Sequence, residues 1–123
     1  MGLKIDSADK AFSLYIRTRD NWSCVRCGRR YEPPTSALHC SHYFGRGREN
    51  TRFDPENCDS LCYGCHQHWG SADKEGYRQF KINQLGQAGF DLLTLRANQY
   101  AKKDRAMSLI VARALLAELN GQR

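Results

Sequence analysis

Two pairs of cysteines, each pair separated by two residues, constrain the fold of this chain more than any other feature. The pairs are Cys24 with Cys27 and Cys62 with Cys65; a glycine follows the first pair and another lies inside the second. A C-x2-C turn brings two thiolates to one tetrahedral zinc ion, and two such turns complete the site. Four thiolates leave no open position for a substrate. The spacing therefore predicts a structural zinc that contributes to folding.

The interval between the two cysteine pairs is unusually long. It holds 34 residues, whereas a simple zinc ribbon has roughly 15–20. Cys40 and Cys58 lie inside this interval without C-x2-C partners. We expect both to be small buried side chains. In the alternative interpretation, Cys58, four residues before Cys62, replaces one ligand of the zinc site.

Length and charge indicate one small domain with a polyanionic partner. We expect residues 1–123 to form a single domain with a modest core that a bound metal would reinforce. The 19 Lys and Arg exceed the 13 Asp and Glu, which gives a net charge of +6 and favours nucleic acid as the partner. The arginines around the cysteine-rich part are Arg29, Arg30, Arg46, Arg48 and Arg52.

The ends of the sequence and its apolar runs predict a cytoplasmic protein. The first ten residues contain no apolar stretch typical of a secretory signal. The longest apolar run, LIVARALLA, is too short to span a bilayer and contains Arg113. In a reducing compartment, six cysteines are better explained by metal ligation than by disulfides.

The pattern along the chain predicts helices at both ends of a loop-rich core. Asp6 or Ser7 can cap an N-terminal helix over residues 6–19. Residues 20–70 contain turn-forming residues and short apolar pieces, which indicates loops and short strands. Residues 71–121 form a helical C-terminal part. Together these segments predict an α+β fold.

The C-terminal part divides into three predicted helices. Ser71 is the expected N-cap of a helix near 72–85 that ends at Gly86, and a short helix follows around 91–100. The last helix has an apolar stripe at helical spacing, which packs on the protein's own core or on a second subunit. The stripe consists of Met107, Ile110, Val111, Ala114, Leu115 and Leu119.

All four histidines fall in one short part of the chain. They are His39, His42, His66 and His68, interleaved with the cysteines and with Asn57. A lone histidine is usually an ordinary core or surface residue. Four of them beside predicted zinc ligands indicate a functional site.

Several segments together resemble a known nuclease family. The segments FSLYIRTRD, CVRCG, SHYFGRGRENTRFDPEN and CYGCH, followed by YRQF, lie between residues 8 and 103. They resemble the HNH, or ββα-metal, nucleases and more narrowly the phage NinG (Rap) recombination endonucleases. The resemblance implies a small zinc-stabilised ββα-metal core with flanking α-helices. It also implies a metal-dependent endonuclease that hydrolyses phosphodiester bonds of DNA recombination intermediates, such as branched or Holliday-type junctions.

The resemblance assigns roles to three residues. His42 matches the general base on the strand, and a neutral imidazole is available near pH 7. Asn57 matches the asparagine whose amide bonds the backbone across the hairpin and holds the base in position. His66 matches the position of a ligand to a catalytic Mg2+ or Mn2+ at the start of a helix.

One position departs from the wider HNH pattern. Many members have Asp or His directly before the base as a second metal ligand, whereas this chain has Ser41. His39 shares a strand face with Ser41 and can supply that ligand. Otherwise His66, water and the DNA phosphate hold the ion, which suits Mg2+, whereas an imidazole ligand favours Mn2+.

Three arginines between the base and Asn57 are predicted to contact DNA phosphates. They are Arg46, Arg48 and Arg52, in a glycine-containing loop. Nothing in these residues predicts base-specific recognition, so binding should weaken steeply as salt rises. His68 points to a different helix face and is expected to be a surface or phosphate-side residue.

Two other functions fit parts of the sequence. The protein is a zinc-stabilised DNA-binding module if its HNH site is inactive, and the absence of an acid before His42 favours this alternative. A zinc-knuckle adaptor for other proteins would use the C-terminal stripe but not the arginines. A symmetric junction would suit a homodimer. A phage-encoded protein would act in the cytoplasm of its bacterial host.

Overall fold

The computed structural model describes residues 4–122 and shows a mixed α+β fold. This part of the chain forms five α-helices and one two-stranded antiparallel sheet, as predicted for the fold class. The predicted domain also includes residues 1–3 and 123, which lie outside the described residues. None of the helices within 4–122 has the length and apolar content needed to cross a bilayer. The elements are α1 (Ser7–Arg19), β1 (Leu38–His42), α2 (Glu49–Arg52), β2 (Cys58–Cys62), α3 (Tyr63–Gln67), α4 (Lys74–Ala97) and α5 (Arg105–Gly121).

The first helix begins with a reciprocal cap. Of the two candidate caps, the structure uses Asp6, whose carboxylate accepts from the backbone N–H of Asp9 at 3.0 Å. The Asp9 carboxylate accepts from the N–H of Asp6 at 2.9 Å. Such a box satisfies two unpaired donors and stabilises the helix by about 1 kcal/mol. The buried face of α1, with Ala8, Phe12 and Ile16 at four-residue spacing, packs on the hairpin and on α5.

The two strands pair over their full length. Leu38 lies opposite Cys62 and His42 lies opposite Cys58, with Cys40 facing Ser60 between them. The connection from β1 to β2 contains α2 and a short 3-10 turn at Pro55–Asn57. This register places Cys62, a predicted zinc ligand, at one end of the hairpin and the predicted base at the other.

The chain after β2 continues as helix with one wider, π-helical turn. A π-helical turn at His68–Ala72 joins α3 to α4. The cap of α4 is Asp73, which accepts from the N–H of Gly76 at 2.9 Å, so the predicted cap at Ser71 was wrong. The hydroxyl of Ser71 instead donates to the Gln67 carbonyl. Gly86 has φ +77° and interrupts α4 at the predicted helix end, but the helix resumes after it.

The last helix packs on α1 with a different face from the predicted one. Ala112 is its buried residue, and this small side chain lets the two helices approach closely. Met107, Ile110 and Val111 are instead about half exposed, at 53%, 60% and 46%. Packing on the protein's own core is therefore wrong for these three positions, and packing on a second subunit stays a prediction. Leu115 of the predicted stripe packs against the core.

Arg105, the first residue of α5, fastens this helix to the start of α1 and to α2. Its guanidinium forms an ion pair with Asp6 and a bidentate pair with Glu49, at 2.7 and 3.0 Å. The two carboxylates raise the pKa of Arg105 further above its usual value. The N-terminal and C-terminal helices are thus joined through one cation.

The core has two parts. The part beside the cysteine pairs contains Trp22, Leu38, Leu61, Trp69 and Tyr77, together with Cys24 and Cys65. The other part contains Phe12, Ile16, Cys40, Cys58 and Ala112. Cys40 and Cys58 are 7% and 0% exposed, which confirms the prediction that both are buried.

A buried ionic network connects α4 to the hairpin. The ammonium of Lys81 donates to Asp59 at 3.0 Å, and both side chains are fully buried. The hydroxyl of Tyr77 donates to Asp59 at 3.3 Å and to Ser41 at 3.0 Å. Burial and the Asp59 charge raise the pKa of Tyr77 well above its usual value, so it stays a donor. A buried charge pair satisfied in this way fixes the position of α4 against both strands.

Candidate metal centre and histidine site

The four cysteines of the two C-x2-C pairs converge on one point. The sulfurs of Cys24, Cys27, Cys62 and Cys65 all lie within 4.8 Å of one another. Those of Cys27 and Cys62 are 3.9 Å apart. Tetrahedral zinc with bonds of about 2.3 Å places its sulfurs about 3.8 Å apart, so the geometry is compatible with zinc. The alternative that used Cys58 is not adopted, because this thiol groups with Cys40 and His42 instead.

Local backbone bonds shape the first cysteine turn. The N–H of Gly28 donates to the Cys24 carbonyl at 2.8 Å, and the N–H of Cys24 donates to the Arg29 carbonyl at 2.9 Å. Gly28 has φ +80°, a conformation that favours glycine. The N–H of Val25 donates to the Ser60 carbonyl and ties the turn to β2. These contacts bring the first pair against the second.

The pKa values of Cys24 and Cys65 are shifted in opposite directions. Burial raises the pKa of Cys24, but nearby backbone N–H groups outweigh it and lower the pKa to about 7. Burial and the neighbouring thiols raise the pKa of Cys65 to about 12, although Arg26 opposes them. The Arg26 guanidinium donates to the Cys65 sulfur at 3.3 Å. A divalent ion would remove this conflict, because each ligand binds as thiolate.

His42 has one ring nitrogen engaged and the other unpaired. Its Nε2 lies 2.8 Å from the carbonyl oxygen of Arg52. A carbonyl can only accept, so Nε2 carries the proton. Nδ1 is buried and has no hydrogen-bond partner. Burial, followed by the charge of Arg46, lowers the pKa of His42 to about 4, so Nδ1 holds a free lone pair at neutral pH.

Asn57 joins the two ends of the connection between the strands. Its Oδ1 accepts from the N–H of Phe44 at 2.9 Å. Its Nδ2 donates to the carbonyls of Phe44 at 2.9 Å and Thr51 at 3.0 Å. The side chain is fully buried, so all three bonds are shielded from water. The amide thus holds the backbone just after His42 in place.

His39 and His66 lie side by side. Their Nδ1 atoms are 3.0 Å apart, and the rings are inclined at 71°. His66 follows Cys65 directly, so the second cysteine turn sets its direction. Burial lowers the pKa of His66, and the charges of His39 and Arg46 act in the same direction. A neutral imidazole is the form that binds a metal ion.

His42 and His66 open into the same space. A cavity of about 290 Å³ is lined by Cys40, His42, Gly45, Arg46 and His66. A second cavity of about 400 Å³ also contains both histidines, together with Trp69, Lys74 and Tyr77. The two predicted catalytic imidazoles therefore face one cleft rather than opposite sides of the molecule.

The three predicted DNA-binding arginines have different surroundings. Arg52 is 2% exposed, and its guanidinium pairs with Asp9 at 2.6 and 2.8 Å. It therefore cannot reach a phosphate, and this prediction was wrong. Arg46 lines the histidine cleft, and its Nε has no partner. Arg48 is exposed and donates to Asn98 at 2.6 Å.

Two other residues of the histidine-rich segment lie outside the cluster of imidazoles. His68 is partly exposed, with Nε2 3.7 Å from Asp73, which agrees with its expected surface position. Ser41 is buried and accepts from Tyr77. An acid at position 41 would lie beside Asp59, which pairs with it across the strands. This proximity gives a physical reason for a neutral residue there.

Several residues around the site were not predicted. Lys74 lines the cleft at the start of α4, and Arg26 donates to a zinc-site thiol. Arg26 lies inside the first C-x2-C pair, so its position in sequence was a usable signal. Asp59 and Lys81 gave no such signal, because they meet only through the packing of α4 on β2.

Comparison with known proteins gives one match. The family model described as Bacteriophage Lambda NinG protein matches residues 3–119. No curated protein and no solved structure matches the chain significantly.

Proposed function

The chain belongs to the bacteriophage lambda NinG family, and from that premise we propose that it is a metal-dependent DNA endonuclease of the HNH type. Its substrates in this proposal are recombination intermediates such as branched or Holliday-type junctions. The proposal depends chiefly on one observation. The Arg52 carbonyl accepts the hydrogen bond of His42 Nε2, so the unpaired Nδ1 keeps a free lone pair, and the imidazole lines a cleft shared with His66.

His42 acts as the general base in this mechanism. Its Nδ1 accepts a proton as a water oxygen attacks the phosphorus, and the opposite P–O bond breaks. The Arg52 carbonyl holds the ring and stabilises the imidazolium that forms. A phosphate next to Arg46 would offset the charge that lowers the pKa of His42, so the base strengthens when DNA is bound.

Arg46 holds the phosphate beside the base. Its Nε is an unpaired buried donor in the wall of the cleft. A guanidinium with an available N–H binds a phosphate oxygen by a charge-assisted hydrogen bond. Lys74, exposed at the rim of the larger cavity, adds a second positive charge. These two cations would place the scissile phosphate opposite Nδ1 of His42.

His39 and His66 form a suitable pair of ligands for a divalent ion. Two nitrogens bound at about 2.1 Å and at a right angle lie about 3.0 Å apart. The Nδ1 atoms of the two rings have this separation. A Mg2+ or Mn2+ ion there would neutralise charge on the phosphate oxygens and the leaving group. Its remaining positions would be taken by water and phosphate oxygens.

A second candidate function is DNA binding without cleavage. Among residues 4–122, no carboxylate joins His39 and His66 in a metal-binding group of three. A pair of imidazoles binds Mg2+ more weakly than carboxylates do. This observation favours a zinc-stabilised DNA-binding module with an inactive HNH site. Both candidates would act on DNA in the cytoplasm of a bacterial host.

A cleavage assay separates the two candidates. Plasmid and four-way junction DNA are incubated with the protein in Mg2+ or Mn2+, beside His42→Ala and the matched control His68→Ala. All three proteins are matched for zinc content and thermal melting. We expect His42→Ala to lower the cleavage rate by about 100-fold or more and His68→Ala to leave it unchanged. Equal DNA binding with no cleavage by any of the proteins would support the binding module.

A further inference from the structure

A second concave surface lies next to the histidine cleft. It has a volume of about 740 Å³. One wall is Gly47, Arg48 and Glu49, from the connection that follows His42. The other wall is the segment that joins α4 to α5, from Ala97 to Lys103. Neither the cysteine cluster nor the proposed histidine site uses this cavity.

The cavity carries a net positive charge. Arg48, Lys102 and Lys103 line it and are exposed. Its one acidic residue, Glu49, is neutralised by the bidentate pair with Arg105. Three cations therefore face a single concave surface with no free carboxylate among its lining residues. Such a surface attracts a polyanion.

An uncovered aromatic ring stands in the same cavity. Tyr100 is 91% exposed. Tyr43 and Tyr77, in contrast, pack against other rings. A positive groove combined with an exposed aromatic ring is the arrangement that binds unpaired nucleotides, because every base can stack on such a ring.

Hydrogen bonds hold the two walls together. The Arg48 guanidinium donates to Asn98 Oδ1 at 2.6 Å and to the Ala97 carbonyl at 3.3 Å. The amide of Asn50 donates to the Arg96 carbonyl at 2.8 Å. Tyr100 thus lies two residues after Asn98, the anchored C-cap of α4. The segment that carries it therefore loses less conformational entropy when DNA binds.

One loop separates this cavity from the histidine cleft. Arg46 lines the cleft together with His42, and Gly47 lines the cavity. Adjacent Cα atoms are about 3.8 Å apart, which is less than the length of one extended nucleotide. The two spaces are therefore lined by consecutive residues of one loop.

We propose that this cavity binds an unpaired stretch of DNA, with one base stacked on Tyr100 and the adjoining phosphates held by Arg48, Lys102 and Lys103. The cavity then selects DNA in which the strands separate next to the bound phosphate. The proposal rests on the proposed function for its ligand class, because DNA is itself a proposed partner. It does not require that the histidine site cleave.

The test measures base stacking without cleavage. One DNA is a junction that carries 2-aminopurine as an unpaired base. The control is a duplex in which the 2-aminopurine is paired. Binding is followed by fluorescence without added Mg2+ or Mn2+. We expect the protein to quench the unpaired base and to bind the junction more tightly than the duplex. Tyr100→Ala should lower junction affinity by about tenfold and abolish the quenching, whereas Tyr100→Phe should retain both.

Charge variants provide the matched control. Lys102→Gln and Lys103→Gln should each weaken binding and reduce its salt dependence, whereas Lys10→Gln on the exposed side of α1 should change neither. If the Tyr100→Ala protein quenches the 2-aminopurine fluorescence and binds the junction as the parent does, the inference is overturned. This holds even when the protein cuts junctions. If Tyr100→Ala loses stacking in a protein that never cuts, the inference stands and the nuclease proposal fails.

Discussion

His42 and Arg52 are connected through the backbone of the arginine, whose carbonyl oxygen lies 2.8 Å from Nε2 of the histidine. The side chain of the same arginine is buried in an ion pair with Asp9 of α1. Arg52 therefore supports the base by holding its own carbonyl in place. The position of the proposed base thus depends on a buried ion pair.

Substitution of Arg52 should lower the stability of the fold, whereas substitution of Arg46 should weaken DNA binding. Arg52→Gln leaves Asp9 buried without its partner, so we expect a loss of about 3–5 kcal/mol in the free energy of unfolding. Arg46→Gln should leave the melting temperature unchanged. It should reduce the slope of log affinity against log salt by about one. Denaturant titration and binding at several salt concentrations measure the two effects. Equal melting of Arg52→Gln and the parent would contradict this assignment.

The zinc ligands and the ligands of the second metal should respond differently to substitution. Cys24→Ser removes one thiolate from a site whose zinc supplies about 10 kcal/mol or more, so we expect the protein to be largely unfolded. His66→Ala should keep the parental melting temperature but require more Mg2+ or Mn2+ for cleavage. Circular dichroism melts and metal titrations of the cleavage rate test both expectations. If both variants were equally unfolded, the separation of a structural zinc site from a catalytic metal site would be contradicted.

The pH dependence of cleavage should reflect the low pKa of His42. Burial, followed by the charge of Arg46, lowers this pKa from 6.5 to about 4. In the free protein the base is therefore deprotonated above about pH 5, and its protonation does not limit the rate. We expect kcat/KM to stay level as pH falls from 7 to 5.5, since kcat/KM reports the free enzyme. A tenfold fall over that interval, at saturating Mg2+ or Mn2+ and in protein that keeps its zinc, would contradict the low pKa of His42.

Asn57→Asp tests the positioning of the base with little change in side-chain volume. The carboxylate can still accept from Phe44 but can no longer donate to the carbonyls of Phe44 and Thr51. The Phe44 carbonyl then loses its donor, which costs about 1–3 kcal/mol, whereas the Thr51 carbonyl still accepts from the N–H of Asp54 at 3.2 Å. We expect kcat to fall by more than the unfolded fraction explains, while KM changes little. Loss of rate in proportion to unfolding would assign Asn57 a purely structural role.

Short-range spacing predicted the cysteine cluster well because its members are local. Each cysteine pair is a single turn, and His66 follows a cysteine of the second pair directly. Once the pairs meet, the direction of His66 is largely determined. The placement of His42 near it required only that the two strands pair in register. The catalytic roles of these histidines remain predictions.

Residues whose partners are distant in sequence were not predictable. Arg52 has the composition and context of a phosphate ligand, but its partner Asp9 lies 43 residues earlier. The periodicity of α5 identified an apolar stripe but not which side α1 would cover. Ala112 is buried because a small side chain permits close helix packing, a property that hydrophobicity alone does not indicate.

The attachment of α5 through Arg105 has a consequence for the order of folding. Its contact with Asp6 closes a chain loop of 99 residues, whereas the cysteine pairs and the hairpin close shorter loops. Long loops form slowly, because more chain entropy is lost before any contact is made. We therefore expect α5 to dock last. In a newly synthesised chain, the four cysteines would therefore come together before α5 packs on α1.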